Sequence, residues 1–366
     1  MNGNNAAEHG GNLYAAMRKT GGDFSELLDF SANINPLGLS ESIRQTLHTS
    51  VESIIHYPDV QGYALKQAIS QYYHVAAEQI TLGNGAAELM YILCHMLKPK
   101  RILVTAPTFS EYESAARAAG AAIEYLYLHP ENNFTIDIQA MIKQLADIDI
   151  VFICNPNNPT GTLLANIQIE QLLIAAKTQN TYVAVDESFI DFLQNDDAYT
   201  CRQLLAQYSN LIIFHSLTKF YAIPGLRLGF ALANRSLTNL LHSGKDPWNV
   251  NTLAQNAGVT ALHDHAYQQL SKEFIGKVKM ELYYHLMEIP GLTPYLPSVN
   301  FILINIKDTN KTGEELQQAM ANHHLLIRNC SNYPGLSSEY IRIAVKSPEQ
   351  NSILIDSLKE IIGGIT

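Results

Sequence analysis

The sequence has few cysteines, a deficit of basic residues and no long apolar run. None of its four cysteines is in C-x-x-C spacing, and most lie inside apolar segments, which is typical of buried, reduced thiols. No apolar stretch approaches the roughly 18 residues that a membrane span needs, and the first twenty residues contain no signal-like apolar segment. These features predict a cytoplasmic protein with no membrane partner.

Lysine and arginine total 24 against 34 aspartate and glutamate residues, so the formal net charge is -10. No basic run interrupts this balance, and a nucleic-acid partner is therefore not expected. Because the overall charge repels anions, an anionic ligand would need a site built from a few local cations and backbone N–H groups.

The alternation of short β-rich runs with helix-like segments between about residues 78 and 234 is typical of βαβ units and a mostly parallel sheet. After about residue 250, longer helices and two further strands predict a smaller α+β domain that closes with a helix capped by Ser347. The predicted strands are 101–105, 123–128, 148–154, 182–185, 211–215, 226–233, 300–306 and 340–345.

Ser216, Lys219 and Arg227 lie within twelve positions directly after a predicted strand. Ligands of parallel sheets bind beyond the carboxyl ends of the strands, so these side chains face a ligand-binding edge. Taken alone, Lys219 is either a solvated surface lysine, as most lysines are, or a lysine that forms a Schiff base. In the second case Ser216 and Arg227 would anchor a phosphate.

Two further motifs are predicted to lie at the same edge of the sheet, and a glycine loop adds a separate candidate for phosphate binding. Asp186 ends one apolar run and the Asn/Pro segment 155–161 follows another, although singly these could be a helix cap and an ordinary turn. The glycine loop 82–88 opens a predicted helix whose N-terminus can bind one phosphate. It is not a dinucleotide fingerprint, because Glu88 occupies the third glycine position.

In this order the motifs closely resemble those of fold-type I pyridoxal-phosphate (PLP) enzymes, in the histidinol-phosphate aminotransferase branch, over nearly the whole chain. The resemblance implies that Lys219 binds PLP covalently, that Asp186 pairs with the pyridinium nitrogen and that Asn158 bonds the ring hydroxyl. A buried carboxylate beside the ring nitrogen keeps it protonated, as an electron sink requires. The other cofactor contacts that it implies are Phe109 on the ring, and Ser216, Arg227, the N–H groups of Gly85, Ala86 and Ala87, and Tyr57 of a second subunit at the phosphate.

Segments 9–12, 29–38 and 327–336 resemble the threonine-phosphate decarboxylases within this branch. Two arginines with planar, bidentate forks suit a substrate that carries a carboxylate and a phosphate. Without the resemblance, His9 would be a mobile terminal residue and Arg328 half of a surface salt bridge. The substrate contacts that the resemblance implies are His9, Gly10, Asn33, Asn158, Arg328 and Arg342.

The resemblance implies an α/β fold of fold-type I, with a large PLP-binding domain over residues 45–250 and a small C-terminal domain over 251–366. Residues 1–44 would form an arm that contributes to the substrate site and the small domain. It implies a homodimer that decarboxylates L-threonine O-3-phosphate. One departure, Phe189 in place of the tyrosine usual in aminotransferases, counts against plain transamination.

Two alternative functions and a metal site are weaker interpretations of the same sequence. Histidinol-phosphate aminotransferase, the nearer alternative, shares the cofactor site but must orient the Cα–H bond instead. A non-catalytic effector domain of a transcription regulator predicts a DNA-binding domain, for which the sequence has no signal. The histidine pairs at 263–265 and 323–324 lack the i, i+4 spacing of helical metal ligands, so no metal is expected.

Overall fold

The computed structural model describes residues 10–20 and 27–363. Its helices are α1 Leu13–Thr20, α2 Glu41–Ser50, α3 Tyr63–Tyr73, α4 Ala86–Leu97, α5 Glu111–Ala118, α6 Ile138–Lys143, α7 Asn166–Thr178, α8 Arg235–Ser243, α9 Thr252–His263, α10 His265–Met287, α11 Gly313–Asn322 and α12 Pro348–Gly363. Its strands are β1 Leu28–Asp29, β2 Ile80–Gly83, β3 Arg101–Ala106, β4 Ala122–Tyr127, β5 Ile150–Cys154, β6 Tyr182–Asp186, β7 Leu211–Ser216, β8 Gly229–Ala233, β9 Thr293–Pro294, β10 Phe301–Asn305, β11 Leu325–Leu326, β12 Arg328–Asn329 and β13 Tyr340–Ala344.

A seven-stranded sheet in the order β2-β8-β7-β6-β5-β3-β4 forms the centre of the molecule. The pairs from β7 through β4 are parallel, and only β8 runs against its neighbours. The mostly parallel sheet predicted from the sequence is thus confirmed. One predicted strand is shorter than expected, because Pro224–Leu226 forms a 3-10 turn and Arg227 has φ of +58°, so β8 begins only at Gly229.

The central strands are apolar along their whole length because both of their faces are covered. In β5, Val151 and Ile153 pack into the core on one side of the sheet, while Ile150, Phe152 and Cys154 pack on the other. Side chains of a strand alternate between the faces, so a continuous apolar run fills both cores. The sheet is therefore a rigid platform for the side chains at its edge.

A second sheet, in the order β12-β13-β10-β9, belongs to the C-terminal part of the chain. The early strand β1 pairs with β11, and the next residue, Phe30, accepts a hydrogen bond from the backbone of Ala344. The arm before α2 is thereby fixed to the C-terminal part. The boundaries at residues 44 and 250 stay predictions.

Helix α12 begins as the sequence predicts. The Ser347 hydroxyl accepts a hydrogen bond from the backbone of Gln350 (3.3 Å), and the Gln350 side chain accepts one from the Ser347 backbone (3.4 Å). This reciprocal pair is the predicted capping box. Across the two described stretches, no helix is long and apolar enough to cross a membrane.

Candidate active site

Lys219 lies in the loop after β7 and its ammonium group faces a cavity at the edge of the large sheet. Its Nζ donates a hydrogen bond to Oγ of Ser216 (3.0 Å), the last residue of β7. Burial lowers the pKa of Lys219 and the Arg227 guanidinium lowers it further, whereas the Asp186 carboxylate raises it, and the net shift is downward. A lowered pKa increases the neutral, nucleophilic fraction of the amine that a Schiff base requires.

Asp186 ends the neighbouring strand β6, and three donors reach its buried carboxylate. The Tyr112 hydroxyl donates to Oδ2 (2.6 Å), and Ser188 donates to Oδ1 from both its hydroxyl (2.5 Å) and its backbone N–H (3.0 Å). Burial, with the nearby Asp186 charge, holds the pKa of Tyr112 well above its usual range, so the phenol stays a donor. This shell fixes the plane of the carboxylate.

The N-terminus of α4 and Arg227 converge on the same end of the cavity. Gly85 precedes α4 with φ of +86°, and a Cβ on it would lie 2.3 Å from Nη2 of Arg227. Only glycine therefore allows the arginine to approach this helix end. Because β8 runs antiparallel, its first residue, Gly229, pairs with Ser216, which brings Arg227 to the edge where the parallel strands end. Backbone N–H groups, a guanidinium and a hydroxyl form a site for one phosphate.

Asn158 and Arg342 join the two sheets at the cavity wall. Arg342 donates from Nη1 to the Asn158 side-chain oxygen, and from Nη2 to the backbone oxygen of Ser31 (2.7 Å). With its oxygen engaged in this way, the Asn158 amide has its Nδ2 donor left for a second partner. The turn that carries Asn158 is held by Asn157, which donates to the backbone oxygen of Pro107 (3.0 Å).

Arg328 and Arg342 lie directly opposite each other on the neighbouring strands β12 and β13. Both are buried, with 5% and 4% of their surfaces exposed, and each leaves its Nε without a hydrogen-bond partner. Arg328 donates to Asn332 (2.7 Å) and packs 5.3 Å from the Tyr333 ring centre. Within residues 10–20 and 27–363, neither guanidinium pairs with a carboxylate.

The cavity has a volume of about 380 Å³. The predicted residues that line it are Gly10, Asn33, Ala86, Ala87, Phe109, Asn158, Asp186, Ser216, Lys219, Arg227 and Arg342. Gly85 adjoins it at the start of α4, and Arg328 contacts its lining residue Tyr333. The predicted contact His9 lies outside the described residues.

Tyr57 does not line the cavity of its own chain. Its side chain is 80% exposed and stacks on Trp248, with 4.7 Å between the ring centres. The arm, in contrast, reaches the cavity through Gly10, where a Cβ would lie 2.0 Å from the backbone oxygen of Ser31. The glycine pair at 10 and 11 therefore lets the arm pack closely against the segment that Arg342 binds.

Sequence reasoning missed several side chains that shape the site, namely Tyr112, Ser188, Ser31 and Tyr333. Tyr112, Ser188 and Ser31 each lie within three residues of a predicted site residue, and Tyr333 lies in the segment 327–336 that the resemblance singled out. For Ser188 the signal was available, because a serine two positions after an aspartate often bonds back to its carboxylate. No group of histidine, cysteine and acidic side chains that could hold a metal ion occurs in the part of the chain described.

The side chains that line the cavity fit PLP. Lys219 can react with an aldehyde, Asp186 is an anionic partner for a protonated ring nitrogen, and Phe109 is a flat aromatic side chain in the wall. Gly85, whose missing Cβ leaves room for Arg227, lets a guanidinium and a helix N-terminus lie side by side, a combination that suits a phosphate. Fold and site together define a fold-type I, PLP-dependent enzyme.

Comparison with known proteins agrees with this class. The pattern of the family "Aminotransferase class I and II" matches residues 25–358, and the chain belongs to this family. It is 35% identical to a threonine-phosphate decarboxylase of Salmonella typhimurium, over 98% of this chain and 97% of the relative. It is 36% identical to the adenosylcobalamin biosynthesis bifunctional protein CobDQ of Leptospira interrogans, over 98% of this chain but only 42% of that longer protein.

Solved structures share the fold. The L-threonine-O-3-phosphate decarboxylase of Porphyromonas gingivalis has 26% identity and a TM-score of 0.81, with 91% of this chain and 99% of that chain covered. The histidinol-phosphate aminotransferase of Clostridium acetobutylicum has 30% identity and a TM-score of 0.87, with 93% and 100% covered. The two functions that the sequence left open are thus both present among the relatives.

Proposed function

We propose that this protein is a PLP-dependent carboxy-lyase that converts L-threonine O-3-phosphate to (R)-1-amino-2-propanol O-2-phosphate and carbon dioxide. The observation that carries the proposal is the pair of buried arginines, Arg328 and Arg342, facing each other beside the Lys219 cavity. The full-length similarity to the Salmonella decarboxylase supports it. The name of the Leptospira relative supports a place in cobalamin biosynthesis.

The arginine pair destabilises the folded protein unless an anion binds beside it. Like charges directly opposite each other on adjacent strands destabilise a sheet, and buried charges without partners are costlier still. Asn332 and the rings of Tyr333 and Phe301 cover the guanidinium groups, but none of these side chains neutralises them. A substrate with both a carboxylate and a phosphate supplies one or both missing anions, in an otherwise acidic protein.

Bound PLP supplies an electron sink for the pair of electrons released when a bond to Cα breaks. The residues of this chain decide which bond breaks. Lys219 would hold the cofactor through its Nζ, and the same amine, once free of the cofactor, could carry a proton. Arg342, which touches both Asn158 and the arm at Ser31, would hold the substrate carboxylate in one fixed orientation. That orientation favours loss of carbon dioxide over loss of the Cα proton.

Phe189 supports decarboxylation over plain transamination. Its ring is buried, lies 5.7 Å from the Lys219 ammonium and packs edge-on against Phe301 (5.1 Å between ring centres). A phenylalanine offers no hydroxyl to the cofactor or to Lys219. At this position the cavity therefore differs from the aminotransferases that the chain resembles.

Incubation of the purified, PLP-loaded protein with L-threonine O-3-phosphate tests the proposal. We expect release of carbon dioxide and a phosphorylated amine, and a kcat/KM for free threonine about tenfold to a few hundredfold lower, because charged hydrogen bonds of about 1.5 to 3 kcal/mol are lost. Ready transamination of histidinol phosphate with 2-oxoglutarate, without carbon dioxide from threonine phosphate, would replace this function with the aminotransferase alternative. Equal turnover of threonine and its phosphate would also overturn it.

A homodimer is part of the proposal. Apolar side chains that follow α2 in the chain are exposed together with Tyr57, and an exposed group of this kind is typical of a subunit interface. The group consists of Val51, Ile54, Ile55, Tyr57 and Trp248. We propose that a second copy covers it and that Tyr57 reaches the phosphate site of that copy.

The cytoplasmic location remains a prediction from the four cysteines, all of which are free and buried.

Mixed dimers distinguish a contribution across the interface from one within a chain. Tyr57→Ala and Lys219→Ala proteins, each impaired alone, are co-expressed with different tags and the hybrid is purified. If Tyr57 acts on the neighbouring copy, one cavity of each hybrid has both residues intact, and we expect up to about half of the wild-type activity. No recovery of activity in the hybrid, or a fully active monomer, would reject the shared site.

A further inference from the structure

Tyr112 is a fully buried side chain that the proposed chemistry does not use. It lies in the first turn of α5, and its hydroxyl donates to Oδ2 of Asp186 (2.6 Å). Two rings fix its orientation, since it stacks on Phe152 with 5.2 Å between ring centres and meets Phe109 edge-on at 5.6 Å. The hydroxyl is thus held against one carboxylate oxygen.

Space filling does not account for the hydroxyl. A phenylalanine would occupy the same place between Phe152 and Phe109, and a buried hydroxyl is unfavourable unless it forms a hydrogen bond. The phenol donates a hydrogen bond to the Asp186 carboxylate, and the Cys154 side chain also lies beside it. A carboxylate has about four acceptor positions, and Tyr112 and Ser188 fill three of them with donors. Asp186 lines the cavity, so a ligand there can use the acceptor capacity that remains.

We infer that Tyr112 is a positioning residue for Asp186: its hydroxyl fixes the carboxylate so that the one open acceptor direction points at the ring nitrogen of PLP. Tyr112 itself does not touch the cofactor in this arrangement. The inference rests on the proposed role of Asp186 and is independent of the substrate, so it is tested without substrate.

The experiment compares Tyr112→Phe with two reference variants of the PLP-loaded protein. Tyr73→Phe is the matched control, because the Tyr73 hydroxyl is also buried and donates to a buried carboxylate, that of Asp191 (3.0 Å), which is not in the cavity wall. Asp186→Asn tests the role of Asp186 directly. For each protein we would measure the dissociation constant of PLP by dialysis, and the pH at which the visible band of bound cofactor loses half its intensity.

Tyr112→Phe is expected to weaken PLP binding about tenfold, equivalent to about 1.4 kcal/mol, and to shift the midpoint of the visible band. Tyr73→Phe should leave both readouts at wild-type values although it loses similar stability. Equal values for Tyr112→Phe and Tyr73→Phe, with a clear effect of Asp186→Asn, would overturn the inference alone. If Asp186→Asn also has no effect, the proposed role of Asp186 is wrong as well.

Discussion

The two ends of the cavity are built in different ways. The proposed cofactor end lies at the edge of one sheet, where Asp186 and Ser216 end two paired strands and Lys219 follows the second of them. Two of its charged groups are already hydrogen-bonded, since Lys219 donates to Ser216 and three donors reach Asp186. The substrate end joins the arm to the second sheet, and its two arginines have no anionic partner within the described ranges.

The cofactor end is therefore preformed, whereas the substrate end is completed only when a ligand binds. Groups that are paired before binding lose little freedom when the ligand arrives, which favours tight and permanent cofactor binding. Buried arginines without an anionic partner gain most when an anion binds, which favours selection of a charged substrate. Substitutions at the two ends should therefore affect different measurements.

The largest effect is expected from Lys219→Ala at the cofactor end. Without its amine the protein cannot hold PLP covalently, so borohydride will no longer fix the cofactor to the chain and turnover will fall by about a thousandfold or more. Mass spectrometry of the reduced protein measures the adduct. The control is Lys277→Ala, an exposed lysine of α10, which should behave as wild type. A reducible adduct of unchanged yield in Lys219→Ala would show that another lysine reacts.

The opposite pattern is expected for Arg342→Ala at the substrate end. This variant should keep its yellow, reducible cofactor while kcat/KM for threonine phosphate falls about a hundredfold, since small misplacements of a reacting group have effects of that size. Arg342→Lys keeps the charge but loses the bidentate fork, so it should recover only part of the activity. Loss of the cofactor from Arg342→Ala would contradict the separation of the two ends.

The rate at which PLP attaches to Lys219 should depend on pH, and this dependence reports on the charges around the lysine. Only neutral amine reacts, so the rate of covalent attachment rises with pH and is half-maximal at the pKa of Lys219, which burial places below its ordinary value of 10.5. Stopped-flow absorbance after mixing apoprotein with PLP gives this midpoint. Asp186→Asn removes a charge that raises the pKa and should move the midpoint down, whereas Arg227→Ala should move it up. Shifts in the reverse directions would show that Asp186 and Arg227 do not act on the pKa of Lys219 in this way.

The smallest effect is expected far from both ends. Ser347→Ala removes the side-chain cap of α12 and should lower the free energy of unfolding by about 1 kcal/mol, with no change in PLP binding or turnover. Denaturant unfolding monitored by circular dichroism measures it. Ser352→Ala, an exposed position inside the same helix, should cost nothing because alanine favours helix interiors. A loss of activity in Ser347→Ala would mean that α12 is coupled to the site.

The sequence predicted much of the fold because its signals are local. Strands β5, β6 and β7 are buried on both faces, so each is a continuous apolar run bounded by turn residues, and each was located within two residues. The start of β8 was missed, because the left-handed conformation of Arg227 follows from tertiary packing over Gly85 and leaves no pattern in the sequence.

Cavity residues at the ends of strands could be predicted from the sequence. Residues that hydrogen-bond to them from other elements could not. Lys219, Asp186 and Asn158 were located because each follows a recognisable run, and the structure brings all three to one cavity. Tyr112 lies on a helix that looks ordinary in sequence, and its bond to Asp186 spans 74 positions. Tyr57 was predicted to act in a second copy, and it lies outside the cavity of its own chain.

The pairing of β1 with β11 also determines the order in which the molecule can be assembled. Strand β1 is synthesised long before its partner, Leu325–Leu326. Contacts between such distant segments form late, because a long loop must close before they can stabilise anything. The seven-stranded sheet is complete once Ala233 has emerged from the ribosome, whereas Arg342 and the docked arm come last. A nascent chain should therefore be able to capture PLP before it can recognise a substrate.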